Sequence, residues 1–326
     1  MLLPATLKRR ACFGSEKMID VRNIAYVAYD VSNVDRSEAF MQHFGMKTQA
    51  KQAGAVYLRA TDDVNYAYVA YQAETPKLRS IAFEVRNFAD LEAAAKMPGA
   101  SGIEPIDAPG GGHRVSFPGP ESFPFEAFYG IERVQPLLSR RAFKPNFAND
   151  MQRINSVVRI DKGPSDIRRI SHVALYVHDA AAATDWTVEN FGFLVSDYVD
   201  GPDGGPLFGS FVRPDNGSAL VDHHVIAWVR HERVAIHHSS FWVEDFDALF
   251  NGADHLAKQG YFHEQGIGRH GAGSQVFSYW RDPDNFMIER FTDGDVFDAT
   301  YPTQRNIASP SAIFQWGPEP KPTFFE

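Results

Sequence analysis

The chain has 326 residues, 44% hydrophobic and 22% charged, with a formal net charge of -9. That length and balance suit about two soluble globular domains of roughly 100–200 residues each, and the acidic charge argues against a nucleic-acid partner. No run reaches the roughly 18–20 apolar residues of a membrane span, and the single cysteine, Cys12, excludes an internal disulfide and a cysteine-based zinc site while suiting a reducing cytoplasm.

Residues 1–17 carry Lys8, Arg9 and Arg10, but no apolar core of signal-peptide length follows them. They read as a disordered extension, or as sequence upstream of a start at Met18. Val21–Val31 (VRNIAYVAYDV) alternates apolar and polar residues at roughly period two, the signature of a half-buried strand. A helix-like stretch and FMQHFG at Phe40–Gly45 come next. Ser80–Val85 (SIAFEV) predicts another strand, followed by a helix over Asn87–Ala95 and by FPGPESFPFEAF at Phe117–Phe128. Residues 134–166 hold Pro136, Pro145 and Pro164 without a sustained period and read as a linker.

The same landmarks then return in the same order. They are Ile167–Val177 (IRRISHVALYV), WTVENFG at Trp186–Gly192, a strand at Phe211–Arg213, HSSFWV at His238–Val243, a helix over Glu244–Leu256 and WRDPDNFMIERF at Trp280–Phe291. This repeat predicts an α+β fold of two tandem domains, 18–133 and 167–291, each built from two βαβββ modules. Residues 292–326, rich in proline and aromatic residues, form a tail expected to act as a lid or an interface.

The chain has 12 histidines, ten of them from His172 onward. A lone histidine is more often a core or surface residue than a ligand, so only a constellation carries weight. His172 in HVALYV and His238 in HSSFWV occupy equivalent places in two strands of one domain. Glu289 in MIERF is flanked by apolar residues, and a buried carboxylate is costly unless it is paired or binds a cation. Two imidazoles and one carboxylate make a facial triad that suits octahedral Fe(II). The repeat is an internal control. Tyr26 stands where His172 stands, Ser80 where His238 stands, and only Glu126 matches Glu289. A metal is therefore expected in the second half alone. His223, His270 and Tyr279 also fall in or beside predicted strands, and such groups exchange protons and hydrogen-bond a phenolate. Taken singly, each reads better as a loop histidine or a core aromatic.

Three segments, DHHVIAWV, HHSSFWV and GRHGAGSQVFSYWRDPDNFMIE, place His223, His238, His270, Tyr279 and Glu289 at successive intervals of 15, 32, nine and ten residues. This ordered set resembles the type I extradiol ring-cleaving dioxygenases of the vicinal oxygen chelate superfamily, the catechol 2,3-dioxygenase-like enzymes, and the resemblance runs from Met18 to the C-terminus. It implies that the βαβββ modules form funnel-like mixed sheets. It implies His172, His238 and Glu289 as metal ligands, His223 as the acid–base residue, and His270 and Tyr279 as hydrogen-bonding partners of the substrate oxygens. Fe(II) is the implied metal, with Mn(II) as the alternative, and O2 the co-substrate. The implied activity is extradiol cleavage of a catechol-type diol in aromatic catabolism. The expected setting is a cytoplasmic homo-oligomer, a dimer, tetramer or larger, whose partner is a small aromatic diol rather than nucleic acid or membrane.

Two histidine doublets leave a one-residue choice. Strand alternation selects His238 over His237, and the interval to His238 selects His223 over His224. Where the family has Asp-Pro-X-Gly-Asn, this chain has Asp282-Pro283-Asp284-Asn285-Phe286, and Asn285 is expected to supply the positive φ of the turn. The rival readings on this fold are a metal-dependent glyoxalase-type isomerase or lyase, which usually draws on a second glutamate, and a small-molecule-binding protein, which needs no ligand triad.

Overall fold

The computed structural model describes residues 17–309 and 313–326. Apart from Lys17, the expected N-terminal extension lies outside the described residues. The first module runs β1 (Val21–Val31), α1 (Val34–Phe44), β2 (Lys47–Gln52), β3 (Ala55–Arg59) and β4 (Tyr68–Gln72). The second runs β5 (Lys77–Val85), α2 (Phe88–Ala94), β6 (Glu104–Pro105), β7 (His113–Pro118) and β8 (Pro124–Tyr129). Together they make one mixed sheet in the order β2-β3-β4-β1-β5-β8-β7-β6. The expected linker is not wholly irregular: β9 (Asn146–Phe147) and β10 (Asp150–Met151) pair as a short hairpin within it.

The second half repeats the plan. Its elements are β11 (Ile167–Val177), α3 (Ala180–Phe191), β12 (Leu194–Asp200), β13 (Leu207–Arg213), β14 (Val221–Asp222) and β15 (Ile226–Arg230), then β16 (Ala235–Val243), α4 (Phe246–Lys258), β17 (Phe262–His270), β18 (Val276–Arg281) and β19 (Met287–Thr292). The tail adds β20 (Val296–Phe297), β21 (Gln304–Ile307) and β22 (Phe314–Trp316). The sheet order is β21-β12-β13-β15-β11-β16-β19-β18-β17-β22, so strands of the tail cover both edges of this sheet. The fold is α+β, with tandem βαβββ modules as the repeat implied.

Local chemistry explains the element ends. Asn33, Asp179 and Asp245 cap α1, α3 and α4 by accepting a backbone N–H of the first turn, and Asn87 with Asp90 makes a capping box on α2. Gly45 ends α1 at φ 119°, and a Cβ there would lie 2.0 Å from the Ser165 carbonyl oxygen. Glycine is therefore required both by the backbone angle and by the close approach of the two halves. Gly252 inside α4 has another reason: a Cβ would sit 2.1 Å from the guanidinium of the fully buried Arg290.

The halves share a core. Phe83, Phe125 and Phe191 stack within 5.2–6.1 Å of one another across the boundary. The contacts at its rim follow the internal symmetry. The Asp284 carboxylate in the turn before β19 accepts from the Ser32 backbone N–H at 2.9 Å, and Glu121 in the turn before β8 accepts from the His178 N–H at 2.7 Å. Asn285 takes φ 70°, as the turn demands, and Phe286 packs 4.5 Å from the Tyr29 ring. Phe286 thus joins the two halves.

In the same turn, Asp282 Oδ1 accepts the N–H groups of Asp284 (2.9 Å) and Phe286 (2.8 Å), while Oδ2 is buried without a partner. Burial outweighs those two hydrogen bonds and pushes the carboxyl up to about 7. A folded-state pKa above the unfolded one favours folding below the ordinary carboxylate range, and that advantage is lost as pH rises through about 7. Asp282→Asn keeps the acceptor and removes the charge. It should raise the thermal midpoint by several degrees at about pH 8 and lose that gain by about pH 4. A midpoint difference that does not change over this range would count against the assignment.

Candidate metal centre

Three neighbouring strands build the centre. β11 and β16 pair antiparallel with His172 opposite Ser240, and β16 and β19 pair parallel with Ser240 opposite Glu289. Paired residues share a sheet face, and residues two apart on a strand share it too. His172, His238 and Glu289 therefore converge on one face, and one ligand atom from each lies within 4.8 Å of the others. Among the described residues this is the one group of three with such geometry. His172 Nε2 is 3.2 Å from His238 Nε2 and 3.2 Å from Glu289 Oε2, and His238 Nε2 is 3.4 Å from the same oxygen.

Glu289 is 0% exposed, and neither of its carboxylate oxygens makes a hydrogen bond to a described residue. Burial alone would raise its pKa. The imidazoles of His172, His238 and His270 overcome this and hold it well below the usual carboxylate range. Burial pushes the His238 pKa down. The site thus presents a charged carboxylate beside the imidazoles of His172 and His238, a donor set that fits Fe(II) or Mn(II).

The residues behind the ligands orient them. His237 Nε2–H donates to the Phe324 carbonyl at 2.8 Å, so its Nδ1 accepts the Nδ1–H of His238 at 2.7 Å. This leaves His238 Nε2 unprotonated toward the site. On the other side, Ser171 Oγ lies 3.4 Å from His172 Nδ1 and donates to Asp222 at 2.6 Å, and Arg169 grips that carboxylate at 2.5 and 2.6 Å. In the first half the equivalent place is closed. Tyr26 and Glu126 hold the registers of His172 and Glu289, and the Tyr26 hydroxyl donates to Glu126 at 2.5 Å.

A cavity of about 210 Å³ opens from the triad, with His270 and Tyr279 in its wall. The Tyr279 hydroxyl lies 2.8 Å from His270 Nε2, and His270 Nδ1 faces the Ile313 carbonyl at 3.2 Å. Since His270 Nδ1–H donates to that carbonyl, Nε2 accepts from Tyr279. Burial, and then the Glu289 charge, raise the Tyr279 pKa well above its ordinary value, so it stays a neutral phenol.

The other expected residue, His223, is not in this wall; His224 is. His223 is held with its ring turned away. Its N–H donates to Asp295, its carbonyl accepts from Ser196, and its Nε2 lies 2.6 Å from Asp197 Oδ2. Successive residues of an extended chain face opposite sides, so His224 falls toward β11, with its ring 4.1 Å from that of His172. Of the first doublet, the cavity wall thus holds His224 and not the expected His223. Its Nε2 makes no hydrogen bond to a described residue, and burial, then the neighbouring His172, push its pKa well below the ordinary imidazole value. The interval to His238 did not carry this choice; only the ladder between β15 and β11 does.

The rest of the cavity wall is mostly apolar. Val199, Phe208, Phe211 and Val229 come from the sheet, and Phe314 and Phe324 from the tail. Phe324 is buried, 5.0 Å from the Tyr279 ring and 4.9 Å from that of His237.

Loading with Fe(II) should give about one metal per chain, and His172→Ala combined with Glu289→Ala should abolish it. Metal analysis decides: stoichiometric metal in the double variant would place the site elsewhere. Truncation after Asp293 removes the strands at both sheet edges, Phe324 and the carbonyl that orients His237. It should lower the thermal midpoint by several degrees and raise substrate KM about tenfold. Unchanged values in calorimetry and steady-state kinetics would show the tail to be dispensable.

Residues 169–290 match the Glyoxalase/Bleomycin resistance protein/Dioxygenase superfamily. The chain is 28% identical over 303 residues to metapyrocatechase 2 of Cupriavidus necator, spanning 92% of this chain and 90% of that protein. It is 24% identical over 316 residues to the manganese-dependent 2,3-dihydroxybiphenyl 1,2-dioxygenase of Geobacillus genomosp. 3, covering 93% and 96% of the two chains. Among solved structures, homoprotocatechuate 2,3-dioxygenase from Arthrobacter globiformis superposes with a TM-score of 0.77 at 21% identity, covering 96% of this chain and 92% of that one. The Mn(II)-bound glyoxalase from Novosphingobium aromaticivorans superposes with a TM-score of 0.78 at 23% identity, covering 94% and 95%. Residues 169–290 thus match the Glyoxalase/Bleomycin resistance protein/Dioxygenase superfamily, and the chain as a whole has the tandem-module fold of the extradiol dioxygenases it superposes on.

Proposed function

We propose that this protein is an extradiol dioxygenase that opens a catechol-type ring with O2, using a metal held by His172, His238 and Glu289. The observation that carries the reading is the buried Glu289 carboxylate, with no hydrogen bond to a described residue on either oxygen, facing two imidazoles that line a largely apolar cavity. A carboxylate so placed calls for a cation. The relatives named metapyrocatechase 2 and manganese-dependent 2,3-dihydroxybiphenyl 1,2-dioxygenase support the same reading.

Fe(II), or Mn(II) in its place, supplies a Lewis-acidic, redox-active centre with open coordination positions. The chain's own residues do the rest. The apolar walls accept the aromatic ring and exclude water. His224, neutral and with a free Nε2 at the cavity, takes a proton from the diol and returns it as the ring opens. Tyr279 and His270 hydrogen-bond the substrate oxygens, a role for which a neutral phenol beside an imidazole is suited. This set of proton-handling groups favours ring cleavage over glyoxalase-type isomerisation.

The same reading places the enzyme in the cytoplasm as a homo-oligomer. No helix among the described residues is long and apolar enough to cross a membrane. Phe147, Met151, Ile154 and Val157 of the linker are all exposed, an apolar surface suited to a subunit contact.

Anaerobic loading with Fe(II), then O2 uptake against a panel of diols, tests the activity. A productive diol should consume about one O2 per ring opened and generate a near-visible absorption band, while its O-methylated analogue should not react. His224→Phe should retain metal and lose turnover by about 10²–10⁴-fold. No O2 uptake with any diol, together with isomerisation of a thiol conjugate of an α-ketoaldehyde, would replace this reading with the glyoxalase-type one. Diol binding with neither activity would leave a binding protein.

A further inference from the structure

Behind His224 runs a line of polar groups, buried up to an exposed outer end at Asn306, that the chemistry above does not itself consume. The Nδ1 atoms of His223 and His224 are 2.9 Å apart, so one proton lies between them. His223 Nε2 is 2.6 Å from Asp197 Oδ2, and Asp197 Oδ1 accepts from the Asn306 amide at 3.0 Å. An ionised carboxylate only accepts. The Nε2 of His223 therefore carries the proton, its Nδ1 is bare, and the shared proton belongs to Nδ1 of His224. That leaves His224 Nε2 as an acceptor.

The surroundings keep this line in place. His223 is 1% exposed and its backbone is tied at both ends. The Phe211 ring sits 5.5 Å from His223 and 4.9 Å from His224. Gly273 leaves the space beside His223, since a Cβ there would lie 3.1 Å from Nδ1. Asn306 comes from β21, which pairs with β12, the strand of Asp197. The far side of the line, with Asp197 and His223, faces a second, more polar cavity of about 380 Å³ that adjoins the apolar one at Val199 and Ala272.

We propose that Asp197 and His223 are positioning residues that keep the proton of His224 on Nδ1 and so present its bare Nε2 to the substrate cavity. Carboxylates orient imidazoles in this way at other sites, and loss of such an outer partner typically costs about 10–100-fold. The inference rests on the reading of His224 as the proton acceptor.

Asp197→Asn tests it. The Asn306 amide retains the new amide's oxygen, which turns its NH2 group onto His223 Nε2. His223 must then carry its proton on Nδ1 and donate to His224, whose own proton moves to Nε2. The readouts are ¹⁵N–¹H correlation of the histidine rings in the metal-stripped full chain, and kcat and KM of the Fe(II)-loaded enzyme. The expected result is an Nε2-protonated His224, a kcat lowered about 10–100-fold and a KM within about twofold of wild type. His223→Gln serves if the first variant does not fold, because its amide still donates to Asp197. His224 then loses its ring acceptor and should show mixed tautomers with the same loss of kcat. An unchanged His224 tautomer in the folded variant overturns the inference. A reversed tautomer with unchanged turnover upholds the positioning role and instead removes His224 as proton acceptor, so the two failures are distinguishable.

Discussion

The structure turns on one buried carboxylate. Glu289 sits on a central strand of a ten-stranded sheet with no solvent and no hydrogen-bond donor on either oxygen. A charge in that position is tolerated only beside compensating charge. The Nε2 atoms of His172 and His238 lie 3.2 and 3.4 Å from one oxygen and that of His270 3.4 Å from the other, without donating to it, so the compensating charge falls to a bound cation. The arrangement sacrifices local satisfaction of a polar group for a cation site that is rigid and largely desolvated, as a metal-dependent reaction requires.

The first half shows the same scaffold with that demand removed. Glu126 occupies the register of Glu289, but the Tyr26 hydroxyl satisfies one oxygen and Arg114 lies 3.7 Å from the other. Tyr57, Tyr66 and Phe128 pack around it where the second half keeps an open cavity. A tyrosine is long enough to reach the carboxylate from the strand position that a ligand histidine would use. The substitution therefore turns a metal site into a buried hydrogen bond without altering the sheet. This half serves the site mechanically, through the shared aromatic core and the paired rim contacts at Ser32–Asp284 and His178–Glu121.

The tail joins the two levels. Its strands close both edges of the catalytic sheet, and the same segment supplies the Phe324 carbonyl that orients His237, aromatic walls for the cavity and the Asn306 amide that holds Asp197. The tail is thus part of the shell that holds the candidate ligands and their neighbours in place. The two histidine doublets show how. In each, one ring anchors the other through an Nδ1–Nδ1 hydrogen bond while its own Nε2 bonds an acceptor.

The sequence by itself determined the duplicated module, the bounds of β1 and β11, and the grouping of His172, His238 and Glu289, while His270 and Tyr279 joined that group only through the family resemblance. Strand alternation is a local, period-two property, so residues that share a face can be read along the chain. The choice of His238 over His237 followed from that alternation, and the turn at Asn285 from the tolerance of asparagine for positive φ. What only the tertiary structure decided depends on partners far along the chain. His223 and His224 lie between β14 and β15, where alternation has no strand to follow. Which ring meets the cavity is set by Asp197, 26 residues earlier, and by the pairing of β15 with β11. The position of the tail was equally hidden, because its short strands are defined by the sheet edges they pair with and have no pattern of their own.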